Sequence, residues 1–185
     1  RQQTYSAEAF FQTTAYGMSA PTGLGFSPDG QSILIANDAS GVFNAYALPV
    51  AGGAAQQLTA APDNATFAVS YFPNDARVLV SADQGGNELD HVYVREADGA
   101  LRDLTPGENL KADFLAWRGD GGAFWITSNE RDPQVFDLYE YDAATYERRL
   151  VFQNPGMEIA AISPNGRWLA LVAPRPSADS NVYLV

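Results

Sequence analysis

Two kinds of residue in this chain could take part in nucleophilic catalysis, a serine between two glycines and the only histidine. Ser27 lies in the string GFSPDG, residues 25–30. A nucleophile elbow needs G-x-S-x-G on a turn from a strand to a helix. The string is one residue too long, and the residues around it do not predict such a turn. We therefore predict that Ser27 is a turn residue.

His91 is the only candidate for a general base. A serine triad needs a histidine beside a reactive serine and an orienting acid. Asp90 directly precedes His91, but neighbours on a strand point to opposite faces. In the repeats described below, the positions that match His91 are also polar, namely Asn44, Asp137 and Asn181. His91 is predicted to be a polar residue at the start of a strand, and no catalytic residue is predicted in this chain.

Acidic side chains are concentrated in two loops, one with Asp83, Glu88 and Asp90, the other with Glu130 and Asp132. A calcium loop requires the pattern D-x-[DN]-x-[DN]-G followed by a distal glutamate, and neither loop fits it. The chain has no cysteine, so thiolate metal sites and disulfides are excluded. No metal site and no cofactor is predicted, and solvated loops are the simplest interpretation.

The overall composition limits the partners and the compartment. Eleven basic and 22 acidic residues give a net charge of −11, and no Lys/Arg-rich run occurs, which disfavours nucleic-acid binding. No apolar run approaches the roughly 18 residues of a membrane span. The chain begins with Arg1 rather than Met, and removal of a signal peptide is one explanation. We expect a periplasmic or secreted location, with the cytoplasm as the alternative.

The turn that contains Ser27 occurs four times along the chain. Its last residues are Gly30, Asp75, Gly121 and Gly166, at steps of 45, 46 and 45 residues. Proline fixes φ, Asp or Asn bonds the local backbone and glycine accepts a positive φ, so each copy predicts a hairpin turn. A constant period in this range indicates a repeat architecture.

Each repeat predicts short strands separated by turns. The first strand of the first repeat is predicted at Gly23–Phe26. The residue that precedes each turn's opening aromatic or Ile is small, as expected for inner strands that converge on an axis; these are Gly25, Ser70, Ala116 and Ala161. Four antiparallel strands per repeat predict the blades of an all-β propeller. A β-sandwich is the main alternative, but it would not need a fixed step.

The predicted domain boundaries leave the last blade incomplete. Residues 1–16 form an N-terminal arm, in which Ser6 caps a short helix over residues 8–11, and Phe10 and Phe11 hold the arm against the body. The partial propeller covers 17–185, with blades at 17–60, 61–106, 107–154 and 155–185. The fourth blade lacks an outer strand. Either the chain is the front of a larger propeller, which we favour, or the arm supplies the missing strand.

Three stretches of the sequence resemble a known family. FSPDG followed by an apolar strand resembles propellers of the TolB-like and prolyl oligopeptidase type. NELDHVYVREADGALRDL (87–104) and SNERDPQVFDLYEY (128–141) resemble blades of the N-terminal, dipeptidyl-peptidase-like propeller of bacterial prolyl oligopeptidase family serine peptidases. AEAFFQTTAY (7–16) is similar to the segment before that propeller. The resemblance covers nearly the whole chain.

The resemblance implies a non-catalytic propeller that gates peptide substrates. Its partner would be a C-terminal α/β-hydrolase domain of the same parent protein, a serine peptidase with a Ser-Asp-His triad that nothing in this chain matches. It also implies that Asn129, Glu130 and Arg131 lie at the propeller face near that domain, as candidate substrate-facing residues. A TolB-like propeller that serves as a protein-interaction platform is the alternative function.

Overall fold

The computed structural model describes residues 4–173 and 180–185 of the chain. Within these residues, fifteen strands form four separate antiparallel sheets, each ordered as a simple meander. Three sheets have four strands and the last has three. This arrangement confirms the predicted all-β propeller of four-stranded blades.

The strands follow one another along the chain in blade order. Blade 1 contains β1 (Tyr16–Met18), β2 (Ser32–Asn37), β3 (Asn44–Pro49) and β4 (Gln56–Gln57). Blade 2 contains β5 (Phe67–Tyr71), β6 (Val78–Ala82), β7 (His91–Arg95) and β8 (Leu101–Asp103). Blade 3 contains β9 (Ala112–Trp117), β10 (Ala123–Asp132), β11 (Val135–Asp142) and β12 (Arg148–Phe152). Blade 4 contains β13 (Glu158–Ile162), β14 (Leu169–Ala173) and β15 (Asn181–Leu184).

The repeated turns are built as their sequence predicts. Gly30, Gly121 and Gly166 have φ values of 69°, 70° and 67°, a left-handed conformation that glycine adopts without a steric penalty. In the second copy, the Asp75 carboxylate accepts a hydrogen bond from the Arg77 N–H at 2.9 Å. Local side-chain bonds of this kind stabilise turns.

The inner strand of blade 1 differs from the prediction. The chain pairs with β2 at β1 and then leaves the sheet, and only Phe26 forms a bridge, to Ile33. The intervening residues 19–24 bond instead to β5 of blade 2. The Ala20 N–H donates to the Val69 carbonyl at 3.0 Å, and the Tyr71 N–H donates to the Leu24 carbonyl at 2.9 Å. The predicted strand at Gly23–Phe26 is therefore wrong in extent.

Gly23 permits this close contact between blades 1 and 2. A Cβ atom at residue 23 would lie 2.2 Å from the Val69 carbonyl oxygen, well inside van der Waals contact. A side chain there would force the two backbones apart. The absence of a side chain at Gly23 is thus what lets residues 19–24 lie along β5.

The N-terminal arm contains the expected helix but does not pack as expected. Helix α1 (Ala7–Phe11) begins after the N-cap Ser6, whose Oγ accepts from the Ala9 N–H at 3.4 Å. Phe11 is 86% exposed, so the prediction that it holds the arm against the body is wrong. The side chain of Phe10 lies outside the described part of the structure. In the described residues no arm strand completes blade 4, where β15 pairs only with β14.

The apolar core lies between neighbouring blades. The largest cluster joins blades 2 and 3 and contains Phe72, Phe124 and Tyr141. The Arg77 guanidinium covers it, with Cζ 4.1 Å from the Phe72 ring centroid. The same guanidinium donates to the Tyr146 hydroxyl at 2.6 Å and forms an ion pair with Asp75 at 2.7 Å. Aromatic stacking and charged hydrogen bonds together close the seam between these blades.

Candidate functional site

The propeller has two distinct ends, which the meander order defines. The turn face carries the repeated turns, such as residues 27–32, and the hairpins between third and fourth strands, such as residues 98–99. The loop face carries the loops between second and third strands and the links from one blade to the next. The candidate residues Asn129, Glu130 and Arg131 lie at the end of β10, on the loop face.

The three candidates line one open cleft of about 510 Å³ beside the link between blades 2 and 3. The opposite wall is formed by residues 106–110, and Arg148 reaches the cleft from β12. A β-bulge interrupts the pairing of β10 with β11 between Ser128 and Asp132, and it lies at the three candidates. Bulges re-aim side chains and often occur beside functional sites. The structure thus brings these residues to one surface, as a binding cleft would require.

The Asn129 amide is bonded to backbone groups at both ends. Its Oδ1 accepts from the Lys111 N–H at 2.6 Å, and its Nδ2 donates to the Pro133 carbonyl at 3.1 Å. The side chain is buried and joins the two walls of the cleft. Asn129 therefore holds the backbone on either side in place.

Glu130 is paired with Arg148, a residue that the sequence did not single out. Arg148 Nη1 donates to Glu130 Oε2 at 2.7 Å, and its Cζ lies 5.1 Å from the Tyr139 ring centroid. Burial, and then the nearby Glu130 carboxylate, raise the pKa of Tyr139 to about 12, so this hydroxyl stays protonated. Glu130 and Arg148 thus line the cleft as an ion pair, with the neutral Tyr139 phenol packed behind them.

Arg131 is held by Asp137, which is fully buried. Arg131 donates through Nε to Oδ2 and through Nη2 to Oδ1, the latter at 2.9 Å. The Asn154 N–H also donates to Asp137 Oδ1, at 2.8 Å. These donors, chiefly the Arg131 guanidinium, lower the pKa of Asp137, which stays ionised. A two-bond pair of this type fixes the plane of the guanidinium at the edge of the cleft.

Asp137 and its counterparts in blades 1 and 2 anchor the outer strands. His91 is 1% exposed, and its Nδ1 lies 2.8 Å from Asp103 Oδ2 at the end of β8. Asn44 Oδ1 accepts from the Thr59 hydroxyl at 2.9 Å and from the Ala61 N–H at 2.9 Å. The prediction that His91 is a polar residue at a strand start is confirmed. Its partner Asp103 was not anticipated.

Ser27 and His91 lie at opposite ends of their blades. Ser27 Oγ donates to Asp29 Oδ1 at 2.6 Å and accepts from the Ser32 N–H at 2.9 Å, which confirms its role in the turn. The hydrogen-bonding side chains around His91 in the described structure are Gln84 and Asp103. The geometry joins neither residue to a nucleophile–base pair.

The described residues, 4–173 and 180–185, contain neither a cluster of metal ligands nor a membrane-spanning helix. No three His, Asp or Glu side chains in this part of the chain are grouped as metal ligands. No helix there has the length and hydropathy to cross a membrane.

Comparison with known proteins gives relatives of one architecture, although no family model matches the chain. Dipeptidyl aminopeptidase BIII from Pseudoxanthomonas mexicana is 28% identical over 151 residues, which are 80% of this chain and 22% of that protein. TolB from Acinetobacter baumannii superposes with a TM-score of 0.62 at 19% identity, over 92% of this chain and 40% of TolB. A prolyl endopeptidase gives a TM-score of 0.64 at 16% identity, over 86% of this chain and 25% of the enzyme.

These similarities and the four blades define the class of protein. The chain has the fold of the β-propeller regions of TolB and of a prolyl endopeptidase, and its sequence is similar to part of a dipeptidyl aminopeptidase. The resemblance predicted from the blade sequences is thereby confirmed. The chain spans about a fifth of the length of its curated peptidase relative.

Proposed function

We propose that this chain is the non-catalytic propeller portion of a prolyl oligopeptidase family serine peptidase, where it gates peptide access to a separate hydrolase domain. The observation that carries the proposal is the 28% identity to a dipeptidyl aminopeptidase over 80% of this chain. The loop-face cleft supports it, because a propeller that limits access needs a polar surface for peptides. A periplasmic or secreted location would suit such a peptidase.

The test of this proposal is the coding sequence of the source gene beyond Val185. A serine peptidase of this family must encode a G-x-S-x-G nucleophile elbow on a strand–turn–helix unit, with Asp and His after it. A reading frame that ends within a few dozen residues without this motif would refute the proposal.

The 185-residue chain on its own is expected not to hydrolyse aminoacyl or peptidyl reporter substrates. His91 is buried and paired with Asp103, so it cannot act as the base of an exposed serine. Release of the reporter is the measurement, with the His91→Gln variant as the comparison. Turnover that this variant abolishes would contradict the expectation.

Glu130 is proposed to contact the peptide substrate, with Arg131 beside it at the edge of the cleft and Asn129 holding the surrounding backbone in place. In the parent peptidase, Glu130→Gln is expected to raise KM about tenfold for peptides with a free amino terminus. The physical reason is the loss of one charged hydrogen bond, which is worth about 1.5 kcal/mol. Steady-state kinetics would measure the change, and kcat should stay within about twofold if only binding is lost.

Two controls make the Glu130 experiment specific. Glu147→Gln removes an exposed acid that does not line the cleft and should leave KM unchanged. N-acetylated peptides have no charged amine, so they should not distinguish Glu130→Gln from the parent. An equal rise in KM for acetylated and free peptides would contradict a role for Glu130 in binding the amine.

The second candidate function is a protein-interaction platform of the TolB-like type. The observation in its favour is the superposition on TolB, which covers 92% of this chain and a larger share of TolB than of the peptidases. Both candidates use the same fold, and the coding sequence beyond Val185 distinguishes them. A continuing propeller without a nucleophile elbow would favour the platform.

A further inference from the structure

A second cavity lies on the turn face, between blades 1 and 2, away from the loop-face cleft. Its volume is about 470 Å³, within the range of pockets that hold small ligands. Blade 1 contributes its repeated turn and part of β3 and β4, and blade 2 contributes Tyr71, its own turn and Arg95. None of the functions considered so far uses this cavity.

The cavity exists because small residues replace large ones at equivalent positions. Between blades 2 and 3, Phe72 and Arg77 fill the seam. The repeat places Ser27 and Ser32 at the same two positions in blade 1, one period earlier in the chain. Two serine side chains cannot occupy the volume of a phenyl ring and a guanidinium. The space between blades 1 and 2 therefore stays open.

Tyr71 presents an unsatisfied polar group to this cavity. The side chain is 5% exposed, and its hydroxyl has no hydrogen-bond partner among the described residues. The equivalent residue in blade 3, Trp117, does have one, because its Nε1 donates to Ser70 Oγ at 2.7 Å. The Tyr71 hydroxyl is accessible from the cavity and can donate or accept a hydrogen bond there. The Tyr71 hydroxyl thus marks a place for a ligand atom.

Arg95 supplies a positive charge without an opposite partner. Its Nε donates to the Leu58 carbonyl at 2.7 Å, and its equivalent Tyr141 makes the matching bond to the Leu104 carbonyl at 3.2 Å. The bond to the Leu58 carbonyl therefore uses only one N–H of Arg95, and the guanidinium has further N–H groups. Arg95 forms no ion pair with a carboxylate in the described part of the chain; its other bond is to the Glu96 carbonyl.

Asp29 supplies a negative charge on the same cavity. Its Oδ1 accepts from Ser27 Oγ and from the Gln31 N–H, and the hydrogen bond from Ser27 is the main cause that lowers the pKa of Asp29. No basic side chain pairs with Asp29 in residues 4–173 and 180–185. The other acid on the cavity, Asp75, is already neutralised by Arg77. Asp29 and Arg95 thus line one cavity whose walls are about half polar, and neither forms an ion pair within the described residues.

We propose that this cavity binds a short peptide with both termini free, of about dipeptide size. The peptide carboxylate pairs with the Arg95 guanidinium, which suits carboxylates because it can donate two parallel hydrogen bonds. The ammonium group pairs with Asp29, and the Tyr71 hydroxyl satisfies a polar atom of the bound peptide. Apolar side chains of the peptide contact the walls formed by Pro28, Ala47, Leu58, Ala76 and Ala97. This site does not depend on the proposed gating role.

The experiment is a calorimetric titration of the protein with the dipeptide Ala-Leu. Two blocked forms, N-acetyl-Ala-Leu and Ala-Leu amide, each lack one of the two charges. We expect both blocked forms to bind at least tenfold more weakly than the free dipeptide, since a charged hydrogen bond contributes about 1.5 kcal/mol or more. Equal affinity for the three peptides, or no binding of Ala-Leu at millimolar concentration, would overturn the proposal.

Variants locate the binding in this cavity. Tyr71→Phe removes only a hydroxyl and is expected to weaken Ala-Leu binding several-fold while the protein stays folded. Ser32→Arg restores the residue found at the equivalent position of blade 2 and should block the cavity. Arg167→Gln removes an exposed arginine elsewhere and should bind like the parent. Unchanged affinity in Tyr71→Phe would show that the peptide binds elsewhere, even if Ser32→Arg does not fold.

Discussion

Replacement of Phe124 by alanine is expected to lower the free energy of unfolding by about 4 kcal/mol. Phe124 is fully buried in the cluster that joins blades 2 and 3. Its ring centroid lies 5.0 Å from that of Trp117 and 5.5 Å from that of Tyr141. The substitution removes both contacts and leaves a cavity, because the two surrounding sheets cannot close around it.

Urea denaturation followed by tryptophan fluorescence would measure this loss. Phe11→Ala is the matched control, because it deletes the same side chain from an exposed position. Exposed substitutions of this kind change stability by about 0.5 kcal/mol or less. A similar effect of the two variants would mean that the seam between blades 2 and 3 is not packed as described.

Asp137→Asn is expected to cost about 2 kcal/mol at neutral pH, the typical size for a hydrogen-bonded charge. The amide keeps the shape of the carboxylate, but it cannot accept both hydrogen bonds from Arg131 and the one from the Asn154 N–H. Arg131 would be left without its counter-ion at the cleft. Thermal or urea unfolding at pH 7 would measure the difference.

The same variant should alter the response to acid. The folded state holds the pKa of Asp137 below its ordinary value of 3.8. Stabilisation by this carboxylate is therefore complete above that value and is lost as the pH falls through the lower folded-state pKa. As the pH falls below about 5, the free energy of unfolding of Asp137→Asn should decrease less steeply than that of the parent.

The fold was largely predictable because its signal is local and repeated. A turn of a few residues at a constant step determines where each blade begins, and Gly30 or Gly121 adopts the required positive φ without tertiary help. Blade 1 was mispredicted at Gly23–Phe26 because its residues bond to β5 of the next blade. No local preference in the sequence reports hydrogen bonds between residues 47 and 49 positions apart, such as Leu24 with Tyr71 and Ala20 with Val69.

The candidate site was predictable in position but not in its contacts. Sequence resemblance placed Asn129, Glu130 and Arg131 together, and all three line one cleft. Their partners Arg148 and Asp137 were missed, because the bulge in β10 decides where these side chains point. Asp103 lies opposite Tyr93 in the pairing of β7 with β8, so its contact with His91 is diagonal, and direct strand pairing would not have suggested it.

The backbone bonds between residues 19–24 and β5 also restrict how a peptide could reach the interior. A peptide could enter a propeller laterally, through a gap that opens when two adjacent blades separate. At the junction of blades 1 and 2, such a gap would require the simultaneous loss of the bonds to Val69, Ser70 and Tyr71. Because Gly23 has no side chain, the two backbones can lie close enough to form these bonds. Separation of blades 1 and 2 is thus disfavoured at this junction.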